Sequence, residues 1–332
     1  MKILVTGGAG YIGSHAVYML IKNGHTVVVA DNLSTGFKEN IHKEAKFYEG
    51  DISNKLFLSN IFEDESDIEA VMHFAGSIRV DESIYKPLEY FKNNADAVRV
   101  LLSACQNSNI STFIFSSTAA IYGQAKTVPI DELDEKNPMN PYGESKLAAE
   151  NLIKSWCDIR DVNFVIFRYF NVAGAHSNGK LGIKSNNLTH LIPLIVKSAI
   201  DKKEIFRIFG DDFETEDGTC VRDFIHVQDL VEAHLLGLEW SIKNERSGIF
   251  NLGSEKGYSV KQVYDTATQV LKIEIPFEII EKRFGDPAKI YASTILAKEI
   301  LKWKPKYNLK KIIMSEYKFR LKFTKDSQSK PH

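Results

Sequence analysis

Tyr142 and Lys146, four residues apart in Tyr142-Gly143-Glu144-Ser145-Lys146, form a pair able to move a proton at neutral pH. A free tyrosine titrates near pH ~10, so about one in a thousand is phenolate at pH 7. A spacing of four along a helix brings the lysine onto the same face. Its positive charge favours the phenolate and is expected to lower the Tyr142 pKa. Such a pair is common on helix surfaces and gains its meaning from what lies upstream. The chain opens with Gly7-Gly8-Ala9-Gly10-Tyr11-Ile12-Gly13, glycines spaced for a dinucleotide. The glycines make a cofactor site, and the Tyr/Lys pair supplies a base beside it.

Gly8-x-Gly10-x-x-Gly13 follows an apolar strand, Ile3-Leu4-Val5, and opens a helix read from Tyr11 to Asn23 that Gly24 ends. The glycines permit a tight turn, and amides at the helix start can meet a pyrophosphate. Asp31 ends the next strand, Thr26 to Ala30, 18 residues beyond Gly13, and suits the adenosine ribose hydroxyls. No arginine follows it, so NAD is favoured over NADP. Asp51-Ile52, after the strand-like Phe47-Tyr48-Glu49, could reach the adenine or could simply begin a helix. Phe74-Ala75-Gly76 closes a fourth strand at the ligand-binding end of such folds, with His73 read as a packed strand residue. Ser116-Ser117-Thr118 ends a fifth strand and offers a hydroxyl beside Tyr142. No Gly-x-Ser-x-Gly turn supports Ser-His-Asp catalysis.

The elements that must carry these residues alternate strand and helix, which predicts an α/β fold with a Rossmann-type parallel sheet covered on both faces. Further strands are expected at Ala70 to Phe74, Thr112 to Ser116 and Phe164 to Tyr169. Long helical patterns run from Pro87 to Asn107 and from Pro141 to Ile159, each with proline in the first turn. Past residue 175 come a Gly/Asn/Ser/Lys-rich loop to Leu188, a polar loop from Phe213 to Val221, and a capping box Ser259 to Gln262 that starts a helix to about Leu271. The division expected is a cofactor domain over 1–174, with a return strand near 248–253, a smaller substrate domain over 175–320, and a tail over 321–332. The lysine-rich run from Lys310 to Lys330 reads as a solvated helix face and a loose end.

Composition agrees with a globular enzyme: 332 residues, 44% hydrophobic, 26% charged, net charge −1. That balance gives no basic excess for nucleic acid or an anionic membrane. Three scattered cysteines, Cys105, Cys157 and Cys220, suit a reducing compartment and match no metal spacing. No apolar run is long enough for a signal peptide or a membrane span, so a cytoplasmic protein without a metal is expected.

Gly7-x-x-Gly10-x-x-Gly13, Ser116-Ser117-Thr118, Tyr142-x-x-x-Lys146 and Arg168-Tyr169-Phe170-Asn171 together resemble the extended short-chain dehydrogenase/reductases. Val5 to His15, Asp31-Asn32-Leu33, His73 to Gly76, Pro87 to Tyr90 and Glu216 to Asp223 are similar to the UDP-glucose 4-epimerase family within them, from Met1 to about Trp303. The resemblance implies NAD contacts at Tyr11, Ile12, Asp31, Asn32, Asp51, Ile52, Phe74, Ala75, Gly76, Asn93, Lys146 and Phe170. It implies Tyr142 as base, Thr118 as its hydroxyl partner, and Asn171, Leu191, Phe209, Arg222 and Arg283 as holders of a UDP-sugar. Guanidinium groups are apt clamps for a diphosphate.

The resemblance further implies interconversion of UDP-glucose and UDP-galactose, and a homodimer packed through the two long helices. Departures from the pattern are Thr118 for a commoner serine, Ile78 for a lysine that Arg79 could replace, and His190 for an asparagine near the diphosphate. Counting from Gly285-Asp286 places Ile290 where a bulky residue excludes N-acetyl sugars, unless Pro287 shifts Tyr291 into that place. Other UDP-sugar epimerases of the family and a non-catalytic NAD-binding regulator are the alternatives. Dehydration is disfavoured, because Thr118-Ala119-Ala120 lacks an acidic pair.

Overall fold

The computed structural model describes residues 1–185, 188–283 and 286–328. Strands β1 (Lys2–Thr6), β2 (Thr26–Asp31), β3 (Lys46–Glu49), β4 (Ile68–His73), β5 (Thr112–Thr118) and β6 (Asn163–Tyr169) alternate with helices α1 (Tyr11–Lys22), α2 (Lys55–Asp64), α3 (Val80–Tyr85), α4 (Pro87–Phe91), α5 (Ala97–Ala104) and α6 (Pro141–Arg160). Then follow β7 (Asn171–Ala173), α7 (Leu191–Ile200), β8 (Phe206–Phe209), β9 (Val221–His226), α8 (Val227–Asn244), β10 (Gly248–Leu252), β11 (Gly257–Ser259) and α9 (Val260–Leu271). The chain ends in β12 (Phe277–Ile280), β13 (Lys289–Ile290), α10 (Ile295–Leu301) and α11 (Leu309–Gln328).

Seven of these strands form one parallel sheet in the order β10-β6-β5-β4-β1-β2-β3. Its strands read as unbroken apolar runs because both faces are covered. Ile3 and Val5 join α1 and α8 on one face, whereas Leu4 between them joins α2, α5 and α6 on the other. All three are fully buried, and each contributes about 1.5–3 kcal/mol by leaving water. The expected Rossmann-type sheet is therefore present, and the order reverses between β1 and β4, where such sheets open a ligand crevice.

The expected return strand is β10, which extends the main sheet by pairing with β6. A smaller layer lies beyond it, with β11, β13 and β7 all paired to β9 and with β8 paired to β12. Helices α7, α9 and α11 close a separate core over this layer. The capping box at Ser259 is complete, with Gln262 returning the bond to the Ser259 amide.

Two expectations need correction. The Pro87–Asn107 pattern is not one helix: a π-helical turn, Lys92–Asp96, separates α4 from α5. Periodicity cannot show this, since the insertion widens one turn without changing residue type. Segment 321–332, expected as a tail, is helical as far as Gln328, because α11 buries Ile312, Ile313, Glu316, Phe319 and Arg320. Gly285 and the end of the lysine run, Lys330, lie outside the described residues. No helix among the described residues is long and apolar enough to cross a membrane, and none of their His, Cys, Asp and Glu side chains cluster in threes able to hold a metal.

Candidate active site

The crevice is shaped by backbone contacts that exclude side chains. After β1 the chain turns at Gly7 with φ +73°, where a Cβ would stand 2.5 Å from the Ala75 nitrogen. The first loop thus lies against Phe74-Ala75-Gly76 after β4. A Cβ on Gly13 would stand 2.1 Å from the Gly7 carbonyl oxygen, so only glycine lets α1 approach. Gly10 caps α1 with extended backbone and no side-chain bond, which leaves the first amides of the helix directed at an anion. Ile12 is in that first turn, and Tyr11 donates its hydroxyl to the Gly174 carbonyl at 2.5 Å.

At the end of β2 the buried Asp31 carboxylate accepts from Ala9 N at 2.9 Å and Leu33 N at 2.8 Å, which fixes it at the rim. Asn32 donates to Asp51 at 3.2 Å, and Ile52 packs beneath, in the core. Asn93 is exposed and donates to the Ser77 hydroxyl at 3.0 Å. Phe170 packs beside Ala119 and Ile121. Ile78 is exposed, and Arg79 pairs with Asp81 at 2.7 Å on the surface. An open helix start, a glycine cradle and a fixed carboxylate at the next strand are what a dinucleotide requires, and the residues present fit one. His73 is a packed residue, bonded to Thr6 at 2.6 Å.

Tyr142, Lys146 and Thr118 converge beside this cradle. Helix α6 starts at Pro141 with Asn140 capping the Gly143 amide, and its inner face buries Tyr142, Ser145, Lys146 and Ala149. Tyr90 meets the Tyr142 ring edge-on with centroids 6.4 Å apart. Burial pushes the Tyr142 phenol up, and contact with the Thr118 hydroxyl pulls it down. Lys146 is pushed down to about 8 by burial, opposed by the Glu150 carboxylate. The lowering of Tyr142 expected of Lys146 is not present here. The ammonium is engaged by β5, donating to the Ser116 carbonyl at 2.8 Å and standing 4.6 Å from the centre of the Phe115 ring.

Sequence reasoning missed Asn94 and Glu150. Asn94 is buried in the π-helical turn, donates to Ser145 on α6 and to the Ser77 carbonyl, both at 3.0 Å, and accepts from Ser77 N at 2.8 Å. It ties the crevice loop to the Tyr142 helix. No local signal separates it from Asn93. Glu150 accepts from Arg168 on β6. An arginine inside the apolar run Phe164 to Tyr169 was the signal available.

The expected sugar-nucleotide residues line the smaller layer. Asn171 on β7 donates to the Asp223 carbonyl at 3.1 Å. Arg222 on β9 donates to the Val221 and Pro287 carbonyls at 2.9 and 2.8 Å and stands 3.5 Å from Asp286. Arg283 lies 3.7 Å from the centre of the Phe209 ring, at the end of β8. His190 caps α7, whose first residue is Leu191, and burial pushes its imidazole pKa down. Ile290 on β13 packs against the small apolar cluster of Ala119, Ile121, Tyr122 and Ile130, which begins just past Thr118. Tyr291 turns away toward β11, where a Cβ on Gly257 would meet its ring at 3.0 Å.

Known proteins are similar to this chain in sequence and in fold. The sequence model of the NAD dependent epimerase/dehydratase family matches residues 3–253. A UDP-glucose 4-epimerase of Lactobacillus helveticus is 45% identical over 332 residues, covering 99% of this chain and all of that protein. A crystal structure of a UDP-glucose 4-epimerase superposes with a TM-score of 0.94 at 47% identity, covering 97% of this chain and 98% of the other. The enzyme of that name from Bifidobacterium longum, in complex with NAD+ and UDP, superposes with a TM-score of 0.91 at 34% identity, covering 97% and 98%.

Proposed function

The chain belongs to the NAD dependent epimerase/dehydratase family, and we propose that it interconverts UDP-glucose and UDP-galactose with NAD held in the glycine cradle. The observation that carries this reading is a buried phenol, hydroxyl and ammonium, Tyr142, Thr118 and Lys146, gathered beside that cradle. Full-length similarity to UDP-glucose 4-epimerases supports the substrate.

Bound NAD supplies a reversible acceptor for the C4 hydride. Tyr142 takes the O4 proton as the sugar becomes a 4-keto species and returns it after the sugar turns over, so O4 ends protonated with C4 inverted. General base action of this kind is worth about 10²–10⁴-fold. Thr118 holds O4 by its hydroxyl and, by its bond to the phenol, favours the phenolate, while Lys146, still mostly protonated at pH 7, keeps a positive charge at the floor of the crevice. Arg222 and Arg283 clamp the diphosphate by exchanging their present partners for phosphate oxygens. Asn171, His190, Leu191 and Phe209 frame the nucleotide.

Ile290 borders the sugar pocket; smaller than tyrosine, it admits UDP-N-acetylglucosamine, but larger than cysteine or serine and stiff at its branched carbon, it admits that sugar less readily than the plain hexoses. The working form is a homodimer. Tyr85 and Leu88 on α3 and α4, and Leu152 and Ile159 on α6, lie exposed on neighbouring helices, and their burial against a second copy supports it. Incubation with UDP-galactose tests the reading. UDP-glucose should accumulate to an equilibrium also reached from the other side, and no conversion by protein that carries NAD would overturn it.

A further inference from the structure

Helix α6 carries a buried carboxylate one turn beyond Lys146. Glu150 is fully buried, and both oxygens are engaged. Oε1 accepts from the Ser117 hydroxyl at 2.5 Å and from Arg168 Nε at 3.1 Å, and Oε2 accepts from Arg168 Nη2 at 2.8 Å. Arg168, itself buried, donates from Nη1 to the Tyr122 hydroxyl at 2.9 Å and to the Glu132 carbonyl at 3.1 Å. Taking such a pair out of water costs several kcal/mol per ion, and an apolar pair is often no less stable. Stability alone gives a weak account of its presence.

Its connections give a better one. Ser117 immediately precedes Thr118 on β5, Arg168 lies opposite it on β6, and Glu150 shares a helix with Tyr142 and Lys146. The carboxylate therefore clasps the strand bearing the substrate hydroxyl to the helix bearing the base. The groups around Lys146 are few. On α6 they are Tyr142 and Glu150. On β5 they are the Ser116 carbonyl and the Phe115 ring. On β4 there is His73, whose pKa burial pushes down to about 3. From the π-helical turn Asn94 faces Gly76, at which a Cβ would stand 3.8 Å from the ammonium. Glu150 is the only anion acting on Lys146 among the described residues.

We propose that Glu150 is a positioning residue of the epimerase site: through Ser117 and Arg168 it sets Thr118 against Tyr142, and it keeps a negative charge beside Lys146. The proposal rests on the reading of Tyr142 and Lys146 given above. Three variants test it: Ser117→Ala, Glu150→Gln, and Glu150→Gln with Arg168→Met, which leaves no buried guanidinium unpaired. Each is measured for kcat and KM across pH with UDP-galactose. Each is also titrated through the phenolate absorbance of Tyr142, taken as the difference from the matching Tyr142→Phe protein.

Ser117→Ala should lower kcat about tenfold with the pH profile in place, since misplacement by an ångström can cost about 10²-fold. Both Glu150 variants should lower kcat more, leave KM within about twofold, move the alkaline limb of kcat to lower pH and move the phenolate titration to higher pH. A double variant that melts near the parent and regains its kcat and pH profile would reduce Glu150 to a structural ion and overturn the proposal. Parent kcat in Ser117→Ala would overturn the strand clasp. A parent protein that fails to convert UDP-galactose, while the phenolate titration still shifts in the variants, would sink the functional reading and leave this one standing.

Discussion

The cofactor crevice and the sugar-nucleotide layer are built on different principles. The crevice is made of backbone, with Gly7, Gly10 and Gly13 at positions where a Cβ would stand 2.1–3.2 Å from its nearest neighbour. The layer across from it offers side chains that already have partners within the protein, Arg222 on the Val221 and Pro287 backbone carbonyls and near Asp286, and Arg283 over Phe209. A backbone cradle is preorganised and unforgiving. A side-chain site can trade internal partners for ligand, and tolerates substitution in proportion to what each contact is worth. The contrast suits a reaction in which NAD stays and the UDP-sugar comes and goes.

Between the two regions stands Tyr142, and the largest effect is expected there. Tyr142→Phe should lower kcat by at least about 100-fold with little change in UDP-sugar binding. Near-parent turnover would remove the base from the mechanism.

The cradle comes next. The parent should purify with NAD bound, as absorbance and mass spectrometry will show, whereas Gly13→Ala should purify without it. Retention of NAD by Gly13→Ala would mean that the loop yields, and that the contrast between rigid and tolerant halves is wrong.

On the tolerant side, Arg222→Ala should raise KM about tenfold, the worth of one charge-assisted bond, and leave kcat within about twofold. A fall in kcat with KM unchanged would place Arg222 in the chemistry rather than in binding.

The seam between the halves is open to a pH test. Asp229 on α8 accepts from Tyr307 N at 3.0 Å with its other oxygen unpartnered, and burial raises its pKa to about 6. A raised carboxylate binds its proton more tightly in the folded state, so the associated stability is full at low pH and lost as pH rises through about 6. The parent should lose about 2 kcal/mol relative to Asp229→Asn between pH 4 and pH 7.5, read from urea denaturation at each pH. Parallel curves would show that Asp229 stays charged throughout.

The smallest effect concerns the sugar gate. Ile290→Ser should raise the rate on UDP-N-acetylglucosamine about threefold to tenfold relative to UDP-galactose, since one apolar group fewer is worth about that much in a pocket. Equal rates on both sugars in the parent, or no gain in the variant, would move the gate elsewhere.

How much was legible follows from range. The β1-loop-α1-β2 unit could be read in full, because its glycines, its helix cap and Asp31 lie within about thirty residues and obey local geometry. The Tyr142/Lys146 pair was legible for the same reason, four residues on one helix. The π-helical turn was not, since Asn94 differs from Asn93 only in which one the fold buries. The continuation of α11 was hidden too, because its lysines mask the apolar stripe that packs over α7 and α9.

By itself the sequence determined the parallel sheet and the cofactor loop, and it pointed to the acid that ends β2 and to the Tyr142/Lys146 pair. Each is encoded by residues close together, or by apolar runs whose burial on both faces leaves few alternatives. Only the tertiary structure decided where Lys146 aims, that Glu150 joins Ser117 to Arg168, that Arg222 and Arg283 start out with partners within the protein, and that Ile290 joins the apolar cluster past Thr118 while Tyr291 lies by Gly257. Those facts depend on groups well separated along the chain, Glu150 from Arg168 by 18 residues and Arg222 from the Pro287 carbonyl by 65, and on which polar groups the core leaves without water. A buried charge must find its partner in space, and spacing along the chain does not say which one it finds.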